Sequence, residues 1–171
     1  MEKEIINKVE QSGLVQIDLE ELYLKGQREV VDLKPWLYEE LILKEKNFRD
    51  YVKAHDWSQY KGKYVAVTCS ADAIIPTWAF MIVATHLAPY AADLVFGDLS
   101  KLEEYLFFKR LSLIDPESYR NQRVVVKGCA DLPVPATAYV ELTRLLQPVV
   151  KSIMYGEPCS TVPVFKRKEN A

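Results

Sequence analysis

Three cysteines carry the sharpest chemistry in this chain. Cys69, Cys129 and Cys159 each fall in a segment that reads as a loop, and each is followed by a proline (Pro76, Pro133 and Pro163) that would fix the loop backbone. Carboxylates accompany them: Asp72 and Asp131 come shortly after the first two, and Asp98 falls in another loop. None of the cysteines sits mid-helix or mid-strand, where a cysteine serving only as a small core hydrophobe would be expected. Three thiolates that converge suit zinc or an iron–sulfur cluster, leaving a fourth position for water, a carboxylate or substrate. The expectation is therefore a metal site formed by Cys69, Cys129 and Cys159, with Asp72 and Asp131 completing the coordination or orienting the loops. Long stretches separate the three cysteines and match no recognised metal motif, so their convergence depends wholly on the fold.

The same residues admit plainer roles. Asp72 and Asp131 precede helical segments, where an aspartate commonly caps the helix start. Cys129 near a helix N-terminus would have a lowered pKa and could act alone as a nucleophile. Such a nucleophile wants a histidine base. Only two histidines are present, and both His55 and His86 fall at helix C-terminal ends. No glycine-rich phosphate loop, HExxH, GxSxG or CxxC occurs. Trp36, Trp57 and Trp78 belong to different elements and read as packing anchors.

The elements that must position these residues follow from periodicity. Residues 2–11 read as a short helix, 14–19 and 29–33 as strands, 41–43 as a third short strand and 45–56 as an amphipathic helix. From residue 63 the pattern alternates: strand 64–69, helix 75–85, strand 94–96, helix 100–113, strand 123–127, helix 135–146, strand 152–155. Ser100 followed by Glu103 reads as a capping box. A shift of 59 residues superimposes 64–89 on 123–148, matching Val65 with Val124, Asp72 with Asp131, Pro76 with Pro135 and Ala79 with Ala138. Phe80 meets Tyr139 in the same alignment. The expected fold is α/β: a three-layer parallel or mixed sheet with βα repeats and a small N-terminal α+β segment. The four later strands are expected to share one sheet, whose carboxyl edge would gather the cysteine loops.

Composition sets the class. At 171 residues the chain fits a single domain over 1–171, with 1–62 as a mixed N-terminal segment and 63–171 as the βα-repeat core. A net charge of −2, with lysine and arginine scattered, shows no basic block along the sequence, so no nucleic-acid partner is expected. No apolar run reaches membrane-span length, and the first residues lack a signal-peptide pattern. The expected location is the cytoplasm, where thiols stay reduced, and an odd cysteine count argues against a disulfide framework. A homodimer is the default oligomeric expectation.

Four phrases together resemble a family of uncharacterised bacterial proteins, the domain of unknown function numbered 2480. They are the segments 55–60 (HDWSQY), 69–79 (CSADAIIPTWA), 128–135 (GCADLPVP) and 153–163 (IMYGEPCSTVP). The resemblance covers nearly the whole chain. It implies no established activity, but it does imply a neighbourhood of iron–sulfur assembly proteins as partners. Three functions stand as expectations. One is a metal or cluster protein accessory to iron–sulfur assembly. Another is a non-catalytic scaffold with its partner surface on the N-terminal segment. The last is a thiol enzyme with Cys129 as nucleophile.

Overall fold

The computed structural model describes residues 13–128, 131–157 and 159–168. The helix expected over 2–11 lies outside them. The chain gathers into two compact units, one split (Met1–Tyr23 with Leu106–Ala171) and one continuous (Leu24–Tyr105).

In the continuous unit, strands β2 (Arg28–Asp32), β3 (Tyr64–Thr68) and β4 (Asp93–Phe96) form a parallel sheet in the order β2-β3-β4. Helix α1 (Glu45–Ala54) connects β2 to β3, and α2 (Thr77–Leu87) connects β3 to β4. In the split unit, β1 (Leu14–Ile17), β5 (Arg123–Val126) and β6 (Ser152–Glu157) are parallel, and β7 (Ser160–Lys166) closes the sheet antiparallel to β6. Helix α4 (Ala136–Leu146) connects β5 to β6. Helix α3 (Leu99–Leu111) begins in the continuous unit and ends in the split one.

The α/β reading and the parallel strands agree with expectation, but the single sheet does not. β2 pairs with β3 and β1 with β5, so each early strand extends a different repeat and each repeat builds its own sheet. A βα alternation specifies parallel pairing within a crossover, not how many sheets the crossovers share. The strand expected at 41–43 reduces to an isolated bridge between Tyr38 and Ile42, closed by Glu39 and Glu40 at φ 51° and 56°. Strand β7 was not anticipated, because Pro163 weakens a strand reading; proline is tolerated here because β7 is an edge strand with a register shift beside it.

The repeat reaches further than the sequence alignment suggested. In the continuous core, Phe48, Val52, Val65, Val67, Ala79, Val83 and Leu87 are buried together. The same shift gives Phe107, Leu111, Val124, Val126, Ala138, Leu142 and Leu146, which are buried together in the split unit. Sheet register adds Ile17-Leu19 against Val31-Leu33, because Ile17 faces Val126 as Val31 faces Val67. The turns agree as well. Gly62 (φ 72°) donates its N–H to Tyr90 O at 2.9 Å, and Asn121 (φ 59°) donates to Val149 O at 2.9 Å. Both positions need the left-handed region, which glycine and asparagine enter at least cost. One small α/β unit is thus built twice. Among the described residues, no helix is long and apolar enough to cross a membrane.

Candidate functional site

Parallel sheets present their loops, and usually their ligands, at the carboxyl edge. At that edge of the split unit, Asp18 immediately follows β1. Its carboxylate accepts the Glu20 N–H at 2.9 Å and the Lys127 ammonium at 2.8 Å. The hydrogen bond from Lys127 holds Asp18 below the usual carboxylate range, and the same bond raises Lys127. Glu20 accepts the Leu132 N–H at 2.6 Å and lies 3.8 Å from Lys127. In the continuous unit, Asp32 occupies the equivalent position at the end of β2. It accepts the Lys34 N–H at 3.0 Å, the Ser70 N–H at 2.9 Å and the Ser70 hydroxyl at 2.5 Å. Burial pushes Asp32 upward, but these hydrogen bonds outweigh it and hold the carboxyl below its ordinary value. In both units a carboxylate at the end of the first strand therefore pins the residues leaving its neighbour, β5 or β3.

The expected metal ligands are placed separately. Cys69 follows β3 and packs half-buried against the continuous unit's apolar cluster. Cys159 is exposed in the turn between β6 and β7 of the split unit. Cys129 lies outside the described residues. Among those described, no group of three or more His, Cys, Asp or Glu side chains is placed to hold a metal ion. The metal or iron–sulfur reading is thereby overturned. Its premise was one carboxyl edge, and the described strands form two sheets, with Cys69 and Cys159 assigned to different units.

Asp72 and Asp131 are exposed and do not cap helices. Pro76 and Pro135 occupy the cap positions of α2 and α4, with no side-chain hydrogen bond closing either start. Aspartates elsewhere do that work. Asp98 accepts the Lys101 N–H at 2.9 Å at the start of α3. Glu103, expected in a capping box, instead pairs with Arg28 at 2.5 Å. Asp56 and Asp115, one repeat apart, each accept an N–H two residues on at 3.0 Å.

Among the described residues, neither histidine is hydrogen-bonded to a cysteine. His55 is the C-cap residue of α1, and its ring lies among Trp36, Trp57 and Tyr60, with Nε2 3.0 Å from the Tyr60 hydroxyl. Burial lowers its pKa. His86 Nδ1 sits 3.0 Å from Ile82 O in the last turn of α2.

The repeat also builds two equivalent apolar grooves between the second helix of each unit and the strand after it. In the continuous unit the groove, about 420 Å³, is lined by Phe80, Met81, Ala84, Leu94, Val95 and Phe96. In the split unit the groove, about 300 Å³, is lined by Tyr139, Val140, Thr143, Ile153, Met154 and Tyr155, and Val164 of β7 joins them. Both keep the same edge-to-face aromatic pair, Phe80–Phe96 at 4.9 Å and Tyr139–Tyr155 at 5.9 Å. The continuous unit has no strand corresponding to β7: among the described residues β4 is an edge strand, with Phe96 66% exposed and Met81 63%. The grooves were missed in the sequence because their residues read as ordinary core positions. The pairing of Phe80 with Tyr139 in the repeat was the one available signal.

No curated protein and no solved structure matches the chain. A family model does, over residues 3–167, and the chain belongs to that family, described as a protein of unknown function (DUF2480).

Proposed function

We propose that the protein is a non-catalytic binding module whose continuous unit receives an extended segment of a partner protein along β4. The observation that carries this reading is β7. It lies antiparallel along β6, at the side where β4 stays open, and it contributes Val164 to a groove that is larger in the unit without such a strand. Adding a strand to an exposed edge is a common mode of peptide recognition, with backbone hydrogen bonds giving affinity and side-chain pockets giving specificity. An open apolar edge that has no partner is otherwise an aggregation hazard.

The register of β6 and β7 describes the occupant. Lys166 faces Ser152, Phe165 faces Ile153, and Val162 faces Tyr155. Carried back one repeat, the partner segment puts a cation opposite Asp93, a large aromatic opposite Leu94 and a β-branched residue opposite Phe96. Asp93 accepts the Tyr105 hydroxyl at 3.2 Å and the Leu94 N–H at 3.0 Å through the same carboxylate oxygen.

A labelled peptide with the β7 sequence STVPVFK, followed by fluorescence anisotropy with the full chain, tests the proposal. Saturable binding that disappears in Phe96→Asp and in Met81→Asp is expected, with both variants melting as the parent does because these side chains are largely exposed. Absence of binding, or equal binding by both variants, overturns it. So does a chain that sediments as a dimer through this edge and excludes the peptide.

A further inference from the structure

A second surface stands apart from the grooves, at the amino edge of the split unit's sheet. Arg123 opens β5, Lys151 immediately precedes β6, and Lys166 ends β7, with Arg167 and Lys168 following. Arg123 faces Ser152, and Ser152 faces Lys166, so the row runs across three adjacent strands. These five side chains line one concave hollow of about 710 Å³, and no described carboxylate lines it. The Arg167 N–H donates to Lys151 O at 2.9 Å and its guanidinium to Pro148 O, which holds Arg167 against the start of β6. Lys166 and Lys168 have no ion-pair partner among the described residues.

Charge at two of these positions is particular to the split unit. The continuous unit makes the same strand starts with Tyr64 in place of Arg123 and Ala92 in place of Lys151. Lys166 and Lys168 add positive charge here with no described carboxylate beside them, in a chain whose net charge is −2. We infer that the hollow binds a short multiply charged oxyanion: a run of two or three linked phosphoryl groups. Its volume suits a small ligand. Among the described residues no aromatic ring lines it, so they offer no platform on which nucleic-acid bases could stack. The phosphoryl run could come from a nucleoside triphosphate or from inorganic polyphosphate, and without a ring the site does not distinguish them.

Calorimetric titration of the full chain with tripolyphosphate, ATP and AMP at low salt tests this. Tripolyphosphate and ATP are expected to bind with similar affinity, and AMP about tenfold or more weakly. The affinity for tripolyphosphate should fall steeply and linearly on a log–log plot against salt. The double variant Lys166→Gln/Lys168→Gln should lose about tenfold or more for both polyanions while its melting temperature holds or rises, as repulsion is relieved. Lys101→Gln, outside the hollow, should change nothing. Four results would overturn the inference: no saturable tripolyphosphate binding; equal affinity in the double variant; ATP bound far more tightly than tripolyphosphate; or single-stranded oligonucleotides gaining affinity with length beyond the hollow's size.

Discussion

Asp32, which ends β2, and Asp72, in the loop after β3, are opposite in consequence. Asp32 satisfies the N–H groups of Lys34 and Ser70 and the Ser70 hydroxyl, so Asp32→Ala leaves donors unmet and should cost about 1–3 kcal/mol. Asp72 is exposed, and Asp72→Ala should stay within about 0.5 kcal/mol in a urea melt. His55 supplies a pH test. Its folded pKa lies below the unfolded value, so the unfolded chain takes up the proton more readily. The stability this confers is present above about pH 6.5 and is lost as pH falls through that value toward the folded pKa. Melting temperature should therefore drop on going from pH 7 to pH 5.5, above the range where the depressed Asp18 and Asp32 titrate, and His55→Gln should flatten that drop. At this scale the sequence was a poor guide. It showed which residues could do chemistry, but Asp18 and Asp32 act through strand register, and only the Asp-Leu pair ending each strand hinted at it.

Among elements, equivalence makes quantitative demands. Phe48 on α1 and Phe107 on α3 are both fully buried at matched positions in two separate cores. Phe48→Ala and Phe107→Ala should each cost about 3–5 kcal/mol, and the two costs should be alike because the surrounding cavities are built alike. Denaturation of the two variants checks this; a large inequality would mean the cores differ in more than sequence. Most helices and strands were legible, since burial of one face writes the 3.6 or 2.0 period into the residues. Sheet membership was not. Pairing of β1 with β5 and of β2 with β3 joins residues far apart in sequence, and period carries no information about which repeat a strand will extend. The capping box at Ser100 failed for a related reason. Asp98 reached the helix start first, and Glu103 was drawn to Arg28 on β2.

For the whole molecule, duplication with one asymmetry is the organising fact. Each unit has its own core, turn and groove of matching build, and they differ in that β7 covers β6 while β4 remains an edge. The amide exchange of β4 is the measurement that bears on this most directly. Hydrogen–deuterium exchange of the full chain, with and without saturating STVPVFK peptide, should show slowed exchange over 93–97 and unchanged exchange over 152–157, where β7 is already seated. Protection that appears over 152–157 instead, or nowhere, would contradict the assignment of β4 as the receiving strand.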